Sequence, residues 1–552
     1  LNLSNVFTAG NGVENNADLT LAVGKTITSN GQGLENNAIV TLAGGVLNGN
    51  GMLTNNAIIT GFGTIGGTGG FTNNLGVTVA GGNLTLSNTG TNTNANQIDL
   101  SSGRLLTLSG ATLDNQGGLA LAGGGVSGTG ILRNQAGGVV SGKGSITANF
   151  ANEAGGVVML SDAGTTTISK AFSNAGVIQL TSASANLTGG KITSTGLIYG
   201  RGNVGNAIDN SGALRAEGGA LQLNGAVNNL AGGTVESGTG TTVLLSQGLT
   251  GNAGDIVVTG GRVDTNGKAL INTGRIMGQG ILATGGLTNN GQLSLGNGTS
   301  SVLGAVTNNQ TTLIDNATVS FLGAVTNAAG ATMTINHSTV SYLGGFTNSG
   351  NLVTDPTTLT FTTMTNAHPA AIVADPGDVF RIQQDLLGDT ASNTNWDTDQ
   401  ATLAFVDGGT DLHRVELYGI DKGTARSGLL DNFAWGALTL EAGQMLTLAD
   451  IKADGFNGAL YIGSLDLQGY SGGSLAAFVL GAFDGNGYNI YYDPLAAGNS
   501  YLGGLTYSLG DGGSLIALQA TAAPEPGTLG VLLAGLPALA AVRRRGRHPA
   551  SM

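Results

Sequence analysis

The chain has 552 residues, of which 98 are glycine and none is cysteine, with 10 % charged residues and a formal net charge of −13. Glycine stands far above the usual roughly 7 % and charge far below the usual roughly 25 %, yet no strict Gly-X-Y period runs through the chain, which excludes collagen. The missing cysteine excludes a disulfide framework and thiolate metal sites, and the acidic balance speaks against nucleic-acid binding, which needs a positive footprint on phosphates.

From the amino end, one short pattern recurs: an apolar residue, any residue, then Asn. It appears as Val13-Glu14-Asn15, Leu34-Glu35-Asn36, Leu53-Thr54-Asn55 and Phe71-Thr72-Asn73, and it continues to Phe346-Thr347-Asn348 and Met364-Thr365-Asn366. The spacing is mostly about 17 to 22 residues, with degenerate copies near Asn94, Ser194 and Asn252. A period near 20 points to a solenoid, here of roughly 18 to 19 turns. Between the Asn marks, apolar residues alternate with polar ones, as at Val77, Val79, Leu84 and Leu86. That is a strand signal. Runs such as Gly81-Gly82 and Gly123-Gly124-Gly125 would break a helix but suit corners that need positive φ. Asn tolerates the same geometry, and identical Asn residues on successive turns are expected to stack into hydrogen-bonded ladders.

The fold expected for residues 1–370 is therefore all-β, a right-handed parallel β-helix (β-solenoid) about 90 Å long. Its two ends would be open β edges in need of caps. The stretch from about Asn15 to Asn366 resembles the passenger regions of autotransporter adhesins and related filamentous surface proteins. That resemblance implies a structural or adhesive role at a cell surface.

The repeat stops near Ala367, and the composition then changes. Both tryptophans (Trp396, Trp435), most tyrosines and many aspartates lie between Asp375 and about Ala520. Segments such as Ala401–Val406 and Ala459–Ile462 read as strands with Asp-Gly and Gly-Gly turns between them. Residues 371–522 are expected to form a separate, smaller β-rich domain that caps the last coil.

Residues 523–552 read as a sorting signal. Pro524-Glu525-Pro526 precedes an apolar run through Leu529, Val531, Leu532, Leu533, Leu536, Leu539 and Val542, which ends on Arg543, Arg544, Arg545 and Arg547. The run has only about 15 residues, short of the roughly 20 that a permanent span needs, and Pro537 interrupts it. It reads as a C-terminal hydrophobic helix suited to transient anchoring. The arginines should stay on the cytoplasmic side, leaving the rest of the chain outside. The order of motif, apolar segment and basic stop resembles the tail of the PEP-CTERM proteins. The resemblance implies export from a Gram-negative cell, a transient inner-membrane anchor, processing by an exosortase-type membrane enzyme, and a destination at the cell surface or outside. Because such a tail requires export, a leader is expected to have been cleaved or to precede Leu1.

Catalytic chemistry is not evident. The histidines are His337, His368, His413 and His548, and there is no HExxH, no G-x-S-x-G elbow and no phosphate loop. Asp397, Asp399, Asp407 and Asp411, with Asp484-Gly485-Asn486-Gly487, offer oxygens to Ca²⁺, but the EF-hand pattern is not met, and Asp-rich surface loops are the simpler reading. No cofactor and no metal are expected. The reading is an exported structural or adhesive protein of the cell surface or extracellular matrix, with exopolysaccharide or other surface proteins as partners. Its alternative is a secreted carbohydrate-active enzyme, a polysaccharide lyase or hydrolase, on the same scaffold.

Overall fold

The computed structural model describes residues 6–520, apart from 162, 391–395, 409 and 451–456. The chain coils as a parallel β-solenoid of about 20 turns. Each turn lays down a short Asn-ended strand, then a first and a second flank that meet at a bulged corner. Leu53–Asn55 followed by Ile58–Gly66 is one such turn. Strand after strand pairs with its counterpart one turn on, so the ladders of the coils are parallel: Leu53 lies opposite Phe71, and Val77 opposite Ile59. At a strand spacing of 4.7–4.9 Å the turns stack into a rod on the order of 95 Å long.

The alternation of apolar and polar residues fixes which face is inside. Val77, Val79, Leu84 and Leu86 are buried, while Thr78 and Thr85 between them are partly exposed. One continuous apolar column runs from Leu19 to Leu515. The corners use glycine where neighbouring turns approach closely. Gly61 and Gly278 sit at φ +108° and +109°, and a Cβ at either would run into the carbonyl oxygen of Leu42 or Val258 in the preceding turn.

Beside the apolar column runs a polar one. Asn15, Asn36, Asn55 and Asn73 occupy one register position, as the repeat leads one to expect. Each donates its Nδ2 to the Oδ1 of the next, at 2.7, 2.7 and 2.9 Å for the first three links. The same bond continues without a break to Asn174, through the degenerate copy at Asn94. At the next turn Asn174 meets Ser194 Oγ at 3.0 Å, and a second run starts at Asn210 and reaches Asn348 through Asn252. The second N–H commonly reaches the backbone carbonyl that opens the next turn's flank, as from Asn73 to Gln97 at 2.9 Å. These Asn side chains from Asn36 onward are buried, so the ladder satisfies amides that would otherwise be costly to bury.

The expected boundary at residue 370 does not interrupt the sheets. The flanks continue in parallel from Val379–Ile382 through Thr402–Phe405, Trp435–Leu440, Ala459–Leu467 and Asn489–Tyr492 to Ser514–Ala517. The Asn-strand sheet continues through Asp385–Gly388, Leu412–Glu416, Met445–Ala449 and Phe483–Asp484. The described residues of 371–518 supply further turns with long excursions, and their aromatics join the same core. The amide column ends one turn earlier, where Asn348 Nδ2 donates to the Ala371 carbonyl at 3.2 Å; Asn366 Nδ2 instead donates to the Tyr418 hydroxyl at 3.3 Å, and that hydroxyl donates to the Leu387 carbonyl at 2.6 Å.

Phe321, Tyr342 and Phe361 stack at one register position, with centroids 5.3 and 4.9 Å apart and planes within 8°. At the carboxy-terminal end, Tyr507–Ser508 folds back antiparallel on Ser514–Ala517. The helix Leu475–Ala482, capped by Ser474 Oγ, packs its Val479 and Ala482 into the core there.

Two outcomes follow. Replacing Asn308 by Ala leaves one N–H of the buried Asn289 amide and the Asn327 acceptor without partners, while the other Asn289 N–H keeps the Thr311 carbonyl; at about 1–3 kcal/mol each, the loss should be on the order of 3 kcal/mol in urea unfolding. Tyr342→Ala should cost about 3–5 kcal/mol from the cavity, whereas Tyr342→Phe, which keeps the stack, should cost about 1 kcal/mol or less.

Candidate functional site

The outward side of the coils carries repeated polar rows. On the Asn-ended strands the middle residue points out, which brings Thr54, Thr72 and Thr93 into one row and Thr288, Thr307, Thr326, Thr347 and Thr365 into another. All are partly exposed. Asn16, Asn37, Asn56 and Asn74 form an exposed second amide row, with links of 3.1, 3.1 and 2.8 Å that run opposite to the buried ladder. In the same region Glu14 and Glu35 lie in register, and the row's amides face them, with Asn16 and Asn37 donating to Glu14 and Asn56 to Glu35. A regular file of hydroxyl and amide groups offers many equivalent weak hydrogen bonds to an extended partner.

A concave candidate lies on the carboxy-terminal turns. A groove of about 430 Å³ is lined by Trp396, Asp397, Thr398 and Asp399 on one side and by Leu429–Ala434 on the other. A neighbouring hollow of about 440 Å³ shares Asp399 and Leu430 and reaches Ser464 and Asp493. Backbone bonds fasten Asp397 to the preceding turn, its N–H to the Ile372 carbonyl and its carbonyl to the Ala374 N–H. Trp396 packs edge-on to Phe433 at 5.0 Å and donates its indole N–H to Thr398 Oγ1 at 3.0 Å. Burial and the nearby Asp399 and Asp375 carboxylates push the Asp397 pKa up.

The other residues singled out from sequence are dispersed. The Asp407 backbone N–H donates to Glu441 and Asp484 closes a tight turn onto the Asn486 N–H. Among the described residues no group of three His, Asp or Glu side chains gathers to hold a metal ion. His413 is a buried core residue, its ring nitrogens at 2.7 Å from the Gln384 carbonyl and 2.8 Å from Gln444 Oε1. The sorting motif Pro524, Glu525 and Pro526, the apolar run from Leu529 to Val542 and the basic stop Arg543, Arg544, Arg545 and Arg547 lie outside the described residues. Among the described residues no helix is long and apolar enough to cross a membrane.

The groove itself was not apparent from sequence, because its walls come from separate excursions. The cue available was local: Trp396 between acidic residues, and Phe433 beside Asp431 and Asn432. Comparison of the sequence with family models and with curated proteins gives no match.

The Arg426 guanidinium holds Asp493 below the usual carboxylate range through contacts of 2.7 and 2.6 Å. A depressed folded-state pKa gives stability that is present above the unfolded value and lost as pH falls through the folded one. Hydrogen exchange across residues 426–429 should therefore speed up on acidification below about pH 4, and Arg426→Gln should remove most of that pH dependence.

Proposed function

We propose that the chain is an exported structural or adhesive protein of the cell surface or extracellular matrix, associated with exopolysaccharide or with other surface proteins. The observation that carries this reading is the repetition of outward hydroxyl and amide rows along a long rod held by internal amide ladders. Such a rod suits multivalent contact: single hydrogen bonds to a hydrated polymer are weak, and identical groups at fixed spacing add their effects once the first is engaged. The coils wind right-handed, the sense taken by nearly all crossovers between parallel strands of one sheet. The tail of residues 523–552 sorts the protein. Its apolar run anchors it in the inner membrane with the arginines inside, and an exosortase-type enzyme reads Pro524-Glu525-Pro526 before release.

The alternative, a secreted carbohydrate-active enzyme, rests on the groove at Asp397 and Asp399, where one carboxyl has a raised pKa beside another. An acid–base pair needs a second group placed across a bound sugar, and the backbone bonds that join Asp397 to the preceding turn account for its position without one. The purified protein should therefore leave alginate, pectate and neutral glucans intact by reducing-end assay. Depolymerisation that disappears in Asp399→Asn would make the enzyme reading the correct one.

The sorting reading has its own test. Glu525→Ala should leave the solenoid folded by circular dichroism and leave the chain in the membrane fraction at full mass. Normal release of a tail-less form from that variant would remove the motif from the account.

A further inference from the structure

One window of the rod is nearly free of charge. Between Arg275 and Asp375 the only Asp, Glu, Lys or Arg residues are Asp315 and Asp355. Both stand in a single row with Asn336 between them, at the corner that precedes the second flank. The second flank of these turns is built from one repeated phrase. Thr299, Thr318, Thr339 and Thr358 form a first row in register, and Ser301, Ser320, Ser341 and Thr360 form a second.

The residues between them, Ser300, Val319, Val340 and Leu359, are buried, so both hydroxyl rows face outward. Two residues further along each strand the same parity brings out Leu303, Leu322, Leu343 and Thr362. Leu322 and Leu343 are 47 % and 53 % exposed. Beyond the Gly- and Ala-lined corner, the Thr307, Thr326 and Thr347 row continues the surface onto the next face. The result is a patch with two hydroxyl rows and an exposed leucine stripe, repeated over about 14 Å along the rod.

We propose that this patch is the glycan-binding face of the rod, and that its partner is an uncharged, extended polysaccharide chain; the inference rests on the adhesive reading above and deepens it. Charge decides the partner class. A chain with a net charge of −13 repels polyanions in general; this patch offers no cations for an anionic polymer to pair with, and only Asp315 and Asp355 at its border for a cationic one. A neutral glycan matches both components of the patch. Its hydroxyls exchange donors and acceptors with Thr and Ser, which serve as either, and the apolar C–H faces of its rings cover the leucines. The fixed repeat lets several weak contacts act together without reorganising the protein.

The test is retention of the full chain on insoluble cellulose and insoluble β-1,3-glucan, with alginate as the anionic comparison. The native protein should be retained on at least one neutral glucan and not on alginate. The double variants Ser320→Glu/Ser341→Glu and Ser320→Lys/Ser341→Lys should each lower retention about tenfold or more through the loss of contacts that act together. The pair Ala231→Glu/Gln247→Glu, at exposed turns outside the patch and outside the polar rows, should leave it unchanged. Leu322→Ser/Leu343→Ser, which keeps the surface neutral, should weaken retention as well, and unaltered circular dichroism would show that the variants fold.

No retention on either glucan, equal retention by all variants, or tighter alginate binding by the lysine variant would overturn the proposal. So would loss of self-association in sedimentation velocity with glucan retention intact, since the patch would then be a contact between copies. Failure of the adhesive reading is distinct: the native chain would be absent from the extracellular matrix fraction of its own cells, whatever it does on glucans.

Discussion

The amide-to-amide hydrogen bond between one turn and the next is the interaction on which the rest of this molecule depends. Apolar residues alone would hold a column of coils together without fixing how each coil sits on its neighbour, because hydrophobic contact is non-directional. A buried amide is different. Asn115 has one position from which its oxygen meets Asn94 and its nitrogen meets Asn134, and a slip by one residue would turn all three toward solvent. The same side chains reach the backbone that opens the next flank, so the ladder also sets where each strand begins. Register and corner position follow from one repeated residue. The outward rows of threonine and serine are in line because of it.

Toward the carboxy end another device takes over. The amide column ends at Asn348, and from Phe321 onward aromatic rings stack in the core. Rings of this size are worth about 0.5–1.5 kcal/mol per pair beyond the area they bury, which suits turns that carry long excursions. Phe380 and Trp435 extend the stack into turns where Asn no longer marks the strands. The excursions in turn build the acid-lined groove and the helix at the end of the rod.

Much of this was legible in the sequence because a repeat of about 20 residues shows its period directly. The Asn series located the buried ladder, and even the copies at Asn94, Ser194 and Asn252 fall in the expected strands. The continuation past residue 370 was not legible. There Leu386 pairs with Val415, Val415 with Leu448 and Leu446 with Phe483, intervals of roughly 30 to 40 residues. Insertions of unequal length erase a period while leaving the pairing intact. The change in composition that suggested a new domain reflects those insertions and the aromatic core. The groove was hidden for the same reason, since Trp396 and Phe433 meet only once the excursions fold back.

Ser194 gives the rod a further property. Within each amide run every Nδ2 points the same way, so each run is a directional chain of dipoles, and its links polarise one another. Ser194 interrupts that chain, because its hydroxyl receives the proton of Asn174 but passes none to Asn210; its other contact is the Gly196 carbonyl. The apolar core passes through this turn unbroken while the polar column starts again. Mechanically, the rod from Asn15 to Asn348 is thus two cooperative segments joined by one softer turn, and within that stretch a force along the axis would meet its least resistance between Ile192 and Asn210.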